Sequence, residues 1–272
     1  MDSERDARGS RKPRGLGPEY GAQFQDESVV EAYVLRPPYP AETFRVLARL
    51  LGDPHAGVLD LGCGSGELTI PLAEHAGWVD AIDPAAAMLR AGRVRAGGDS
   101  PKIRWVQASA ETFETSTRYG LAVAGSSFHW MEWDAVMARL RDRLLPGACL
   151  ALVEGPHFAA LPWDAALKAL IDEYSTNREY QPYVLVDELV ARGLFRVQGV
   201  HRTQPVPFEQ TLADHVELIH SRNGFSRERM GETRAAALDR AYRALLEAHC
   251  PDGIVRTQLT VRMSWGLPLV TP

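Results

Sequence analysis

Between Gly57 and Val153 the chain switches between short apolar runs and stretches whose apolar side chains recur every three or four positions. The runs Gly57–Leu61, Trp78–Ile82, Ile103–Gln107, Leu121–Ala124 and Cys149–Val153 have the length of buried strands. The stretches Glu67–His75, Ala85–Arg95 and Trp133–Leu145 have helical spacing; Gly97-Gly98 and Pro146-Gly147 close the last two. Continuously apolar strands separated by helices predict a parallel sheet covered on both faces. Upstream, Asp26-Glu27-Ser28 starts a helix with Val29, Val30 and Tyr33 on its apolar face, and Pro37-Pro38 ends it. Phe44, Val46, Leu47, Leu50 and Leu51 mark a second helix.

Beyond Glu154 the pattern weakens. Pro162–Tyr174, Val186–Arg192, Leu212–His220 and Arg227–His249 read as helices, and Phe195–Val206 and Val255–Trp265 as strands. The two late strands complete a sheet of seven, and the helices form a cap. The expected fold is α/β: a doubly wound, mostly parallel, seven-stranded, Rossmann-like sheet with a helical cap inserted in the C-terminal half. The expected divisions are a disordered tail over 1–19, a helical lid over 20–56, a ligand-binding core over 57–155, and a part completing the sheet and carrying the cap over 156–272.

Composition narrows the partners. A net charge of -5 gives no global basic field, so nucleic acid is not expected. Cys63, Cys149 and Cys250 are odd in number and form no CxxC pair, so no metal site and no disulfide framework is expected. No apolar run reaches bilayer length and no signal-peptide core begins the chain. The expectation is a cytoplasmic protein, monomer or homodimer, acting on a small molecule away from membranes.

The candidate chemistry begins at Val58-Leu59-Asp60-Leu61-Gly62-Cys63-Gly64-Ser65-Gly66. Alternate glycines directly after a strand let backbone N–H groups approach a ligand, and the following helix N-terminus favours an anionic group. Asp60 at the strand end can face a cation. A dinucleotide fingerprint would need glycine at position 67, which is Glu, and no P-loop Gly-Lys-Ser/Thr ending occurs. Asp83 ends the next strand, where an acid can accept hydrogen bonds from ribose hydroxyls.

These residues resemble the class I S-adenosylmethionine-dependent methyltransferases. Asp60, Gly62, Cys63, Gly64 and Gly66 match the family's first motif, and Asp83 its ribose-binding acid. Pro84 and Met88 fall where the family packs adenine. Ser109, Ala110 and Glu111 fall in the segment along the adenine edge, with Ser109 where many members have Asp. Ser126-Ser127-Phe128-His129-Trp130, Leu144-Leu145-Pro146-Gly147, and Tyr33 with Arg36-Pro37-Pro38-Tyr39-Pro40 are similar to the type-11, trans-aconitate-methyltransferase-like branch. The resemblance implies a methyltransferase fold, S-adenosylmethionine as cofactor with S-adenosylhomocysteine as product, and a small-molecule acceptor. It makes Tyr33 and Arg36 lid residues and places Ser126 against the cofactor. Alternatives are a protein that binds the cofactor without transferring methyl, or one that uses it for other chemistry such as a cyclisation.

His129, just past the fourth strand, is the expected proton acceptor. Phe128, Trp130 and Trp133 form an expected apolar wall, and His157 and Glu154 follow the fifth strand toward the same cleft. On the cap, His215, His220, Arg222 and Asn223 lie near one helix end, with His220 the expected substrate contact. Arg178, Tyr180 and Tyr183 are weaker candidates of the same kind.

Overall fold

The structure is a computed structural model, and it describes residues 12–270. Its main sheet has seven strands in the order β3-β2-β1-β4-β5-β10-β7. The parallel part comprises β1 (Gly57–Leu61), β2 (Trp78–Asp83), β3 (Ile103–Gln107), β4 (Tyr119–Gly125) and β5 (Leu144–Val153). β10 (Arg262–Pro268) pairs antiparallel with β5 and with the edge strand β7 (Phe195–Arg202).

Every residue of β1 is buried because both faces of the sheet are covered. Leu59 and Leu61 pack on one side with Val136, Met137 and Leu140 of the helix Trp133–Arg143. Val58 packs on the other side with Phe44, Leu47 and Leu51 of the helix Ala41–Leu51. The chain winds outward in opposite directions from β1 and β4. This reversal opens a crevice at their carboxyl ends, where ligands bind in sheets of this kind. Asp83 and Gly125, at the ends of β2 and β4, border it.

The cap departs from the expected layout. β9 (Ile254–Thr260) joins β8 (Val206–Thr211) and the short β6 (His157–Phe158) in a separate three-stranded antiparallel sheet. The predicted strands Phe195–Val206 and Val255–Trp265 are thus each divided between two sheets. The crossing is at Thr203 and Val261, where the Thr203 N–H donates to the Val261 carbonyl and the Val261 N–H to Thr203 Oγ1. Alternation continues unbroken through Val261, Met263 and Trp265, so periodicity carries no mark of the switch. The predicted helix Arg227–His249 is also divided. Gly231, at φ 77°, separates Arg227–Met230 from Glu232–Glu247. Val216, Phe225, Leu238, Tyr242 and Leu246 give the cap its own core. Full burial of such side chains contributes about 1.5–3 kcal/mol each.

The tail expectation for 1–19 also changes. Residues 1–11 lie outside the described residues. From Lys12 onward the chain is docked: Leu16 is buried in the main core, and Lys12 Nζ reaches the Trp130 carbonyl and Glu132. One leucine among charged and glycine residues is too small a signal for periodicity to register.

Candidate active site

Gly62, Gly64 and Gly66 all adopt positive φ, at 65°, 56° and 88°. Other residues pay about 1–2 kcal/mol for such backbone. The three do different work. A Cβ on Gly62 would lie 2.6 Å from Ser127 Cβ, and one on Gly66 2.6 Å from the Trp105 ring. Those two glycines let neighbouring elements close on the turn. A Cβ on Gly64 would meet nothing nearer than 3.6 Å, and Gly64 borders a cavity of about 530 Å³. Small-ligand sites measure about 300–1,000 Å³.

Asp83 stands at the cavity's edge. Its Oδ2 accepts from the Gly64 N–H at 2.9 Å and its Oδ1 from the Ala85 N–H at 2.8 Å. Burial pushes its pKa up, and these two donors oppose the shift. Each oxygen keeps a lone pair for a further donor. Pro84, Met88, Ala110 and Ser109 continue the wall. Ser109 Oγ is shared with Thr112, and Glu111 accepts from the Glu132 N–H at 2.7 Å.

Asp60 has a different place from the one expected. It is buried beneath the turn, does not line the cavity, and accepts a 2.5 Å hydrogen bond from Thr69 Oγ1. Burial raises its pKa to about 7 despite that bond. Cys63 likewise packs inward against Ala81 and Leu89.

The helix Glu27–Tyr33 and the residues before it roof the cavity. Phe24 lies edge-on to Tyr33 and packs on Trp130. The Arg36 guanidinium lies 4.0 Å from the Tyr33 ring centroid and donates to the Tyr33 hydroxyl and to Ser221. Burial, opposed by Arg36, raises the Tyr33 pKa to about 12, so the hydroxyl stays protonated. Tyr33 and Arg36 both line this cavity. Phe24 belongs to a stretch with no periodic signal.

Ser126, just after β4, has φ 50°, the only non-glycine positive φ among the described residues. Such strain costs on the order of 1–3 kcal/mol and concentrates at functional sites. The Ser126 N–H is anchored on the Val153 carbonyl at 2.9 Å. The turn it makes delivers Ser127, His129 and Trp130 to a wall shared by the first cavity and a second of about 890 Å³. His129 packs on Trp130 at 4.5 Å between ring centroids. Burial, with Lys12 and Arg36 adding to it, lowers its pKa to about 4. The imidazole is therefore neutral at pH 7. Phe128 and His157 line the second cavity, and Trp133 lies in the core behind it, its Nε1–H bonded to the Phe128 carbonyl.

His220 corrects the sequence expectation. It is fully buried inside the cap, with Nδ1 2.7 Å from the Phe225 carbonyl and Nε2 2.8 Å from Asp239. Both nitrogens are used, so it has no face for a substrate. Its neighbours Arg222 and Asn223 line both cavities instead.

The chain is similar to known proteins in sequence and fold. Residues 58–147 match the methyltransferase-domain family. Within these residues the chain carries a methyltransferase domain. A trans-aconitate 2-methyltransferase of Deinococcus radiodurans is 35% identical over 103 residues, 36% of this chain and 38% of that one. One from Azoarcus sp. is 33% identical over 112 residues, 39% and 42% of the two chains. The match thus spans about two fifths of the length of these relatives. A solved structure, a candidate type II methyltransferase from Anaeromyxobacter dehalogenans, aligns over 86% of this chain and 99% of its own, with TM-score 0.60 and 26% identity. Methyltransferases of this class use S-adenosylmethionine. The glycine turn, the cavity's size and the spare acceptors on Asp83 fit that cofactor. No helix among the described residues is long and apolar enough to cross a membrane.

Proposed function

We propose that this protein transfers a methyl group from S-adenosylmethionine to a small molecule bound in the larger cavity. The observation that carries this reading is the wall common to both cavities, made by Ser126, Ser127, His129, Trp130, Arg222 and Asn223. A donor site and an acceptor site that share a wall hold two reactants side by side, which is what an in-line displacement needs.

When bound, the cofactor supplies an electrophilic methyl on a sulfonium. The chain's own part is binding, orientation and exclusion of water. Gly64 and Asp83 hold the nucleoside–amino-acid ligand from below, and Pro84, Met88 and Ala110 give it an apolar bed. Phe24, Tyr33 and Trp130 cover it, removing water that would compete as nucleophile. His129, neutral at pH 7, receives a proton at an imidazole nitrogen where the acceptor must lose one. The similarity to trans-aconitate methyltransferases is confined to part of the chain, and it leaves the atom methylated open among oxygen, nitrogen and carbon.

Calorimetric titration with S-adenosylhomocysteine tests the first site; release of that product across an acceptor panel tests transfer. No binding at millimolar ligand overturns the reading. Binding without turnover across the panel would favour a protein that holds the cofactor without transferring methyl.

A further inference from the structure

The larger cavity has an unbalanced charge. Among the described residues, four arginines line it (Arg178, Arg202, Arg222 and Arg262) against two carboxylates, Glu154 and Asp172, in a chain whose net charge is -5. Both carboxylates already have cationic partners. Glu154 accepts from Arg262 at 2.9 Å and lies 3.0 Å from His157, and Asp172 pairs with Lys168. Arg178 is spent on the carbonyls of Asp172 and Glu173, and Arg202 reaches Thr260 Oγ1 at 3.3 Å.

Arg222 differs from these. Among the described residues its guanidinium has no hydrogen-bond acceptor and no carboxylate partner, although it lines both cavities. Its surface is exposed, yet desolvation pulls its pKa below the ordinary arginine value, with Tyr242 opposing and Arg36 adding to the shift. The guanidinium thus borders both cavities without a protein acceptor among the described residues. Five N–H donors held in a fixed fork there match a planar or tetrahedral oxyanion. A guanidinium that lines a cavity with no protein partner keeps all of these donors for a ligand. The remaining wall, with Phe128, Trp130, Leu152, Tyr183 and Val186, suits an apolar body.

We infer that the larger cavity binds an acceptor with an apolar body and an oxyanion, and that Arg222 seats the oxyanion. This rests on the reading of the cavity pair as donor and acceptor sites. Arg222 lies outside the matched residues 58–147, so the inference comes from this chain's own cap.

The test uses the full chain saturated with S-adenosylhomocysteine, at fixed ionic strength. Calorimetry compares benzoate with benzamide, tricarballylate with its triamide, and phenyl phosphate with phenol. At least one anion should bind about tenfold more tightly than its neutral partner, a difference of about 1.4 kcal/mol. The variant Arg222→Gln should lose that preference while binding S-adenosylhomocysteine as the wild type does. Its ligand-free thermal midpoint should stay level or rise, because an unpartnered cation has been removed. The winning pair separates a carboxylate from a phosphate. Equal binding of acids and neutral partners, no anion bound at millimolar concentration, or a preference that survives Arg222→Gln would overturn the inference. So would a tenfold loss of S-adenosylhomocysteine affinity in the variant, which would assign Arg222 to the cofactor instead. If the wild type fails to bind S-adenosylhomocysteine, the cofactor reading fails; the same comparison on the ligand-free protein still decides the charge preference of the larger cavity.

Discussion

Gly64→Ala separates the cost of folding the glycine turn from its use. The added methyl would stand 3.6 Å from the Tyr33 ring and hydroxyl and 3.7 Å from Glu67, ordinary contact distances. No neighbour has to move, and the folding cost is the backbone's alone. At φ 56° that is about 1–2 kcal/mol. In a chain of this size each kcal/mol lowers the melting midpoint by roughly 2–4 °C, so a loss of about 2–8 °C is expected. The variant stays folded at room temperature. Its methyl, however, adds bulk at the wall of the 530 Å³ cavity, beside Tyr33, which lines it too. Calorimetry should therefore show S-adenosylhomocysteine affinity reduced at least about tenfold, or 1.4 kcal/mol. Gly66→Ala is the control. There the methyl meets Trp105 at 2.6 Å and Ile70 at 3.2 Å, so overpacking adds about 1–3 kcal/mol to the strain. That variant should lose more stability than Gly64→Ala. A Gly64→Ala protein that binds S-adenosylhomocysteine within about twofold of wild type refutes the placement of the ligand over the turn.

His129→Gln keeps a polar side chain in the shared wall but removes the base; turnover should fall about 10²–10⁴-fold if the acceptor gives up a proton there, with S-adenosylhomocysteine binding unchanged. His129 itself titrates near 4 in the folded protein against 6.5 when solvated, so the unfolded chain takes the proton first. Its contribution is complete above pH 6.5 and falls away as the pH drops through 4, which thermal melts of wild type against His129→Gln will show as a difference confined to that window. Glu228 is the acidic counterpart. Burial would raise its pKa, but hydrogen bonds from Ser28 and Ser226 hold it at about 2 against 4.5. The stability it gives is present above pH 4.5 and lost as the pH falls toward 2, and Glu228→Gln should flatten the melting curve over that range. His220→Gln, in the cap interior, should lower the melting midpoint and leave cofactor affinity intact, since both ring nitrogens bond within the cap.

What the sequence revealed depended on how local the geometry is. Gly62, Gly64, Gly66 and Asp83 sit in one strand–turn–helix–strand unit, and residue type at fixed spacing nearly determines their arrangement. Asp60 shares that unit, but its side chain turns under the loop to Thr69, a rotamer choice that spacing does not fix. The cap was harder. His220, Arg222 and Asn223 are adjacent and similar in character, yet Asp239, nineteen residues on, captures the histidine and leaves the arginine to the cavity. The strand crossing at Thr203 and Val261 was hidden because both sheets bury alternate residues of one continuous pattern. Lys12 and Leu16 pack only because Trp130 and the main core receive them, and nothing within residues 12–17 announces that.

The segment from Ser221 to Arg229 joins these observations. It accepts Arg36 through Ser221, the Asn223 amide donates to the Tyr20 carbonyl, and the Gly224 N–H donates to Gln23. Ser226 and Arg229 hold Asp26, and Glu228 holds Ser28. These hydrogen bonds tie the roof over the smaller cavity to one stretch of the cap, while Val29 packs on Ala85 and Met88 of the main domain. Each neutral bond of this kind is worth about 0.5–1.5 kcal/mol, more where a charge takes part. Arg222 and Asn223, which line both cavities, belong to the same stretch. A ligand that shifts Arg222 acts on the anchors of the roof, and a cofactor that draws the roof down acts on the wall of the larger cavity. Under the proposed function the two sites share residues of the stretch 221–229, and any linkage between their occupancies is reciprocal by thermodynamic necessity.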